Sequence, residues 1–81
     1  MANELYYTDE FRRDAKRLEG PMQARLKTAI AKILENPGRF KHLENTNRFR
    51  VRFGVYRILY KVEGSKVILV RLGKRDEVYR S

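Results

Sequence analysis

Residues 48–61 read RFRVRFGVYRILYK, and this stretch decides the fold of the 81-residue chain. Polar and apolar residues alternate on both sides of Gly54 and Val55, and a period of two is typical of a β-strand with one buried face. Gly54 can supply the positive φ that opens a two-residue II′ turn. The stretch therefore predicts a β-hairpin that turns at Gly54 and Val55.

The predicted turn fixes the register and gives the hairpin two unlike faces. One face is apolar, and its facing pairs are Phe53 with Tyr56, Val51 with Ile58, and Phe49 with Tyr60. The other face carries Arg52 directly opposite Arg57, with Arg48, Arg50 and Lys61 farther along the strands. Like charges in opposite positions destabilise a sheet by roughly 0.2–1 kcal/mol per pair. We therefore expect the apolar face to be core and the basic face to bind an anionic ligand.

The part of the chain before this hairpin is predicted to form one strand and two helices. Residues 5–7 are expected to be a short first strand, and residues 9–19 an amphipathic helix. Gly20 suits the end of that helix and Pro21 the start of the next one, predicted over residues 21–35. These two helices form an αα-hairpin.

The remaining segments complete a small sheet. Residues 39–47 show no period and are expected to be a loop. Residues 63–65 are a predicted turn, and residues 66–72 a strand whose unbroken apolar run indicates burial on both faces and a central position. We expect the first strand to lie beside this last one. Residues 73–81 show no pattern from which an element is predicted.

The element order is thus β-α-α-β-β-β, within a single α+β domain over residues 1–81. We predict a sheet of about four strands, the last three forming an antiparallel meander, with the helical hairpin on its apolar face. The basic face of the hairpin then remains uncovered.

The charge of the chain is concentrated in its second half. The formal net charge is +9, of which residues 1–38 contribute +1 and residues 39–81 contribute +8. Basic residues can serve only to keep a small protein soluble. Their concentration on one hairpin face instead favours a polyanionic partner such as nucleic acid.

Several classes of function are disfavoured by what the sequence lacks. There is no cysteine for a disulfide, a zinc ribbon or a thiol nucleophile, and His42 is the only histidine. We therefore expect neither a metal site nor a cofactor. No signal sequence or apolar span is present in the sequence, so we expect a cytoplasmic protein without a membrane partner.

Two segments of the sequence resemble a known group of proteins. Residues 50–60, RVRFGVYRILY, and residues 72–79, LGKRDEVY, resemble the RelE/ParE superfamily, the toxins of type II toxin-antitoxin pairs. The resemblance covers essentially the whole chain and is closer to the RelE branch. RelE-like members are ribosome-dependent endoribonucleases, or mRNA interferases, that cut mRNA in the A site; ParE-like members poison DNA gyrase.

The resemblance also implies a set of site residues. The catalytic residues would be Arg52, Arg57, Arg75 and Tyr79. Arg52 and Arg57 would stabilise the phosphorane, Tyr79 would act as base or orient the 2′-OH, and Arg75 would assist the leaving oxygen. Further RNA-binding residues would be Arg48, Arg50, Lys61 and Lys74.

The best known RelE enzyme has lysines at the positions of Arg50 and Arg52, and an arginine does not lose its proton in a protein. Neither residue can therefore be the base.

The resemblance implies partners as well. We expect a cognate RelB-like antitoxin that forms a hetero-oligomer with the toxin, and the ribosome with its mRNA and rRNA as target. Two alternatives stay open: a ParE-like gyrase poison without nuclease activity, and a non-catalytic RNA-binding module. Tyr79 could also be only an exposed aromatic near a chain end, and Arg57 could form a surface ion pair with Glu77.

Overall fold

A computed structural model of the chain describes residues 3–43 and 46–74. The helices are α1 (Asp9–Lys16) and α2 (Gly20–Glu35), and the strands are β1 (Glu4–Tyr7), β2 (Lys41–His42), β3 (Arg48–Phe53), β4 (Tyr56–Glu63) and β5 (Lys66–Lys74). The strands form one sheet in the order β1-β5-β4-β3-β2. The predicted α+β fold is confirmed, with five strands in place of about four.

The hairpin of β3 and β4 has the register that the sequence predicts. Val51 pairs with Ile58, and Arg52 pairs with Arg57. Gly54 has a φ of +59°, in the region that glycine adopts without steric penalty. The alternation of residues 48–61 therefore divides the two strands into an apolar face and a basic face, as predicted.

The last strand occupies an interior position in the sheet. β5 pairs with β4 in antiparallel fashion and with β1 in parallel fashion, which confirms the predicted neighbour of β1. Val67 and Leu69 are buried, whereas Ile68 and Val70 are only half-buried. The interior position is thus confirmed, although burial on its second face is partial.

The boundary between the two helices differs from the prediction. α1 ends at Lys16, and Gly20 begins α2 and does not end α1, with Pro21 in the first turn of α2. The side-chain amide of Gln23 donates to the Ala15 carbonyl at 2.7 Å and to the Leu18 carbonyl at 3.1 Å. The Ala15 carbonyl also accepts the Leu18 backbone N–H at 3.2 Å. Carbonyls at a helix end lack their usual intrahelical donors, and these bonds supply donors from outside the helix, so α1 can end earlier than its apolar pattern suggests.

The segment predicted to be a loop contains regular structure. A 3₁₀ turn over residues 37–39 reaches into this segment at residue 39, and the two residues of β2 pair with β3. The His42 ring lies 4.8 Å from the Phe49 ring, centroid to centroid. Backbone pairing and this ring contact stabilise β2 as the fifth strand. A segment of two residues is too short to show a period, so the strand could not be predicted from the sequence pattern.

Both helices pack on the apolar face of the sheet, where the core lies. Its buried members are Phe11, Leu18, Leu26, Ala29, Ile33, Val51, Ile58, Tyr60, Val67, Leu69 and Leu72. The Tyr60 side chain is fully buried, and its hydroxyl donates to the Pro37 carbonyl. Burial raises the pKa of Tyr60 to about 12. Among the described residues, no helix combines the length and apolarity needed to span a membrane.

Candidate functional site

The face of the sheet opposite the helices carries most of the basic residues that the sequence singled out. Arg48, Arg50 and Arg52 alternate along β3 and therefore share this face, which we call the open face. Arg57 and Lys61 of β4 face Arg52 and Arg48, respectively. The structure thus brings together five of the predicted site residues on adjacent strands.

Arg52 and Arg57 form the centre of this arrangement. Residues directly opposite each other on antiparallel strands have Cβ atoms about 4.5–5.5 Å apart. Arg52 is exposed and Arg57 is half-buried. The Arg57 Nε atom is buried and makes no hydrogen bond in the described parts of the chain. Like charges in facing positions destabilise a sheet by roughly 0.2–1 kcal/mol, so this pair is suited to receive an anion.

A buried leucine lies within the open face. Leu59 is 2% exposed, although it belongs to the charged side of the hairpin. Its register partners are Arg50 on β3 and Arg71 on β5, and Lys41 of β2 extends the same row beyond Arg50. Arginine stems are aliphatic and can cover apolar surface while the guanidinium remains in solvent. Sequence reasoning missed this row, which adds Lys41 to the predicted set of cations; the Arg71 guanidinium is instead bonded to Asp14 of α1.

Arg48 and Lys61 lie at the other end of the open face. Both are half-buried. The Lys61 ammonium lies 3.9 Å from the Glu63 carboxylate, on a partly exposed pair. An ion pair of this kind contributes little to stability, and it leaves Lys61 able to exchange its carboxylate for a phosphate.

Lys74 is not on the open face. It pairs with Tyr56, which belongs to the apolar side of β4, and it lines a small cleft with Asp14 and Arg17. The reason is a β-bulge: the register shifts between Leu59 and Tyr60, so that β5 gains one residue there. One extra residue exchanges the faces of all positions that follow.

The structure also shows how the end of β5 is held. The Asp14 carboxylate of α1 accepts the Leu72 backbone N–H at 2.9 Å. It also accepts the Arg71 guanidinium, from Nε at 2.9 Å and from Nη2 at 3.4 Å. The pair is largely buried, which makes this charge-assisted contact stronger than a surface ion pair. Asp14 thus joins α1 to the strand that leads to Lys74.

Arg75 and Tyr79, two of the four predicted catalytic residues, lie outside the described residues. Within residues 3–43 and 46–74 there is no group of three or more histidine, cysteine or carboxylate side chains that could hold a metal ion. The basic side chains of the open face are guanidinium and ammonium groups, which bind and stabilise negatively charged oxygens.

Comparison with known structures places this fold in a class of toxins. The chain resembles the RelBE toxin-antitoxin complex of E. coli, with a TM-score of 0.82 and 20% identity over 93% of this chain and 99% of that chain. It resembles the RelBE2 toxin-antitoxin complex from Mycobacterium tuberculosis, with a TM-score of 0.76 and 25% identity over 93% and 100% of the two chains. The RelB-RelE antitoxin-toxin complex from Methanococcus jannaschii gives a TM-score of 0.75 and 26% identity over 91% and 94%.

The sequence itself gives the family. Residues 5–79 match the family described as the ParE toxin of the type II toxin-antitoxin system, parDE. The chain therefore belongs to this toxin family, within the RelE/ParE superfamily. The resemblance inferred from residues 50–60 and 72–79 is confirmed, and the solved structures above are of RelE-like toxins. No curated protein sequence matched the chain.

Proposed function

We propose that this toxin is a ribosome-dependent endoribonuclease that cuts mRNA in the A site by metal-independent attack of a ribose 2′-OH. The observation that carries the proposal is the facing pair of Arg52 and Arg57 on the sheet face that neither helix covers. Two fixed guanidinium groups match the charge that develops on the phosphate during this reaction.

RNA supplies its own nucleophile for this chemistry. The 2′ oxygen forms a bond to phosphorus while the bond to the 5′ oxygen breaks, which leaves a 2′,3′-cyclic phosphate and a 5′-hydroxyl. The 2′ proton must leave, and the 5′ oxygen must gain one. In the proposal Tyr79 takes the 2′ proton or orients the 2′-OH. Arg75 stabilises the leaving 5′ oxygen, which gains its proton from Arg75 or from water. Arg52 and Arg57 stabilise the pentacoordinate phosphorane, since they keep their positive charge throughout.

The remaining cations of the open face would hold the flanking RNA. Arg48, Arg50 and Lys61 extend along the strands from the Arg52–Arg57 pair, and Lys41 lies in the row of Leu59 beyond Arg50, whereas the Arg71 guanidinium is bonded to Asp14. Contacts of this type bind phosphates without reading the base sequence. Lys74, on the other side of the sheet, could bind only a phosphate that passes the end of β5.

A cognate antitoxin is the second part of the proposal. The RelE proteins that the chain resembles were solved in complexes with RelB antitoxins. This chain offers an apolar groove of about 270 Å³ beside the unpaired edge of β1, lined in part by Leu5, Tyr7, Phe11 and Ile30. Leu5 and Tyr7 are 38% and 58% exposed, respectively. Apolar antitoxin side chains would fill this groove, because its lining is otherwise in contact with water.

Translating ribosomes with a defined mRNA provide the test. The native chain should cut the mRNA at the A-site codon. Arg57→Ala should reduce the cleavage rate about 10²- to 10³-fold, the scale for removing one charge-stabilising donor. Arg75→Ala and Tyr79→Phe should also reduce it. Lys27→Ala, which removes an exposed cation from α2, on the helix side of the sheet, is the matched control and should cut as the native chain does.

The same assay separates the alternatives. Intact mRNA with the native chain, together with trapped gyrase-DNA complexes, would favour a ParE-like gyrase poison. RNA binding that Arg57→Ala weakens, without any cleavage by the native chain, would instead favour a non-catalytic RNA-binding module.

A further inference from the structure

A basic cleft lies between α2 and the edge of β3, outside the open face. Its volume is about 320 Å³, at the lower end of the roughly 300–1,000 Å³ range of small-ligand sites. The lining residues contributed by α2 are Arg25, Thr28, Ala29 and Lys32. Their spacing of i, i+3, i+4 and i+7 places them on one stripe of the helix. Arg25 and Lys32 therefore point along the same side of α2.

The other wall of the cleft is the exposed end of β3. The pairing of β2 with β3 covers only Phe49 and Arg50, so that β2 does not cover Val51, Arg52 or Phe53. These three residues line the cleft together with residues 39 and 40, which precede β2. The brevity of β2 is what leaves this space open.

The composition of the cleft indicates the chemistry of its ligand. Among the residues that the structure describes, its lining includes four cationic side chains and no carboxylate: Arg25, Lys32, Arg39 and Arg52. Phe40 and Phe53 are half-buried and supply aromatic surface, and the Arg39 guanidinium lies 5.5 Å from the centroid of the Phe40 ring. Sites that bind single-stranded nucleic acid typically combine cations that bind phosphates with aromatic rings on which bases stack.

The cleft is continuous with the proposed catalytic pair. Arg52 belongs to both, because it faces Arg57 across the hairpin and also lines the cleft. At the hairpin turn, a Cβ atom placed on Gly54 would lie 3.9 Å from Arg25 Nη1, so the Arg25 guanidinium reaches the end of the hairpin. A chain of phosphates that passes Arg52 on the open face can thus continue around the edge of β3.

We propose that this cleft binds the single-stranded RNA segment adjoining the cleaved phosphate, with Arg25 and Lys32 on its phosphates and the Phe40–Phe53 surface against a base. The inference deepens the proposed function and rests on it. An acidic peptide would satisfy the cations as well. RNA is favoured because the aromatic surface and the continuity with Arg52 suit a nucleotide chain that already occupies the open face.

Binding of 2′-O-methyl RNA, which cannot be cut by 2′-OH attack, tests the inference by fluorescence anisotropy. The probes are a trinucleotide and an oligonucleotide long enough to extend from Arg52 into the cleft. The double variant Arg25→Ala, Lys32→Ala should bind the longer probe at least about tenfold more weakly. The slope of the logarithm of its binding constant against the logarithm of the salt concentration should also be shallower by about 1.4, because two phosphate contacts are lost. The trinucleotide should be affected much less.

Two further variants control this measurement. Lys27→Ala removes an exposed cation from a different side of α2, and it should bind both probes as the native chain does. The charge-preserving double variant Arg25→Lys, Lys32→Arg should retain most of the affinity. Equal binding of the longer probe by the alanine double variant and the Lys27→Ala control would overturn the inference. So would polyglutamate that binds the native cleft more tightly than the RNA.

The outcome remains separable from that of the proposed function. If ribosomal mRNA is cut normally by the alanine double variant and its RNA affinity is unchanged, the cleft proposal fails while the nuclease stands. If the native chain cuts no mRNA but its binding of the longer probe depends on Arg25 and Lys32, the nuclease proposal fails and the cleft remains an RNA-binding site.

Discussion

The two faces of the central hairpin are built from the same two strands but have opposite surroundings. The face toward the helices buries Val51, Ile58 and Tyr60 at 5%, 0% and 0% exposure. The open face holds Arg52 opposite Arg57, an arrangement that disfavours pairing of the strands. Burial on one side therefore stabilises a charge distribution on the other side that the strands alone would not adopt.

This difference gives neighbouring residues of the same strand different roles. Residues that alternate along one strand serve stability and ligand binding in turn. Because the core face fixes the register, the positions of the guanidinium groups on the open face are fixed as well. Substitutions on the two faces should consequently change different measured quantities.

The largest expected effect on stability is in the core face. Ile58→Ala should lower the free energy of unfolding by about 2–5 kcal/mol, because it leaves a cavity at a fully buried position. Leu59→Ala, one residue further and on the open face, should lower it less, since the flanking arginine stems can settle into the space. Urea unfolding of both variants measures the difference. Equal losses would show that the two faces are packed alike.

The next effect concerns the contact between α1 and the end of β5. Asp14→Ala should lower the free energy of unfolding by about 1–3 kcal/mol, because it deprives the Leu72 N–H and the Arg71 guanidinium of their acceptor. Asp14→Asn keeps one acceptor oxygen and should lower it less. Hydrogen exchange at the Leu72 amide should accelerate in Asp14→Ala. Unchanged exchange there would contradict a role for Asp14 in holding β5.

Alkaline pH should weaken the core face through Tyr60. Its pKa is raised to about 12 in the folded protein, whereas the ordinary value of 10.0 applies when the chain is unfolded. The unfolded state therefore loses the proton first, so this contribution is constant below pH 10 and falls as the pH rises from 10 to 12. For a difference of about two pKa units, at about 1.4 kcal/mol per unit, the loss should approach roughly 3 kcal/mol.

Tyr60→Phe isolates this contribution. The variant should be less stable than the native chain at neutral pH, because the Pro37 carbonyl loses its donor. Between pH 10 and 12 the stability gap should narrow, since phenylalanine does not ionise. A gap that stays constant over this range, measured by urea unfolding, would be evidence against a buried neutral phenol.

The smallest effect has the opposite sign and belongs to the open face. Arg52→Gln should raise the free energy of unfolding by roughly 0.2–1 kcal/mol, because it removes one of two facing like charges. The gain should shrink as salt is added. Lys27→Gln, on the exposed surface of α2, should show no comparable gain. If Arg52→Gln destabilises the protein, the pair is not under electrostatic repulsion.

Much of the fold could be predicted from the sequence because its signals are local. The alternation around Gly54 gives the register, the faces and the partners Arg52 and Arg57 without reference to the rest of the chain. The boundary between the helices could not be predicted from local sequence, since the bonds from Gln23 to the carbonyls of Ala15 and Leu18 cross from α2 to the end of α1. The strand of Lys41 and His42 is too short to show a period.

The candidate site was predictable only in part, for the same reason. Arg48, Arg50, Arg52, Arg57 and Lys61 share a face because each follows from the alternation within one hairpin. Lys41, Arg71 and the cleft cations Arg25 and Lys32 come from other elements, and nothing in their local sequence marks them as neighbours of the hairpin. Arg75 and Tyr79 remain predictions, carried by the resemblance of residues 72–79.

By itself the sequence determined which face of the hairpin is apolar and which is charged, because a strand alternates its side chains regardless of what packs on it. Only the tertiary structure decided the order of the strands and the bulge opposite Leu59 and Tyr60. That bulge places Leu72 in the core and Arg71 in the row of Leu59, and it moves Lys74 away from the open face. Such a shift depends on which side chains the neighbouring strand and α1 can accommodate, and these contacts form between residues that lie far apart along the chain.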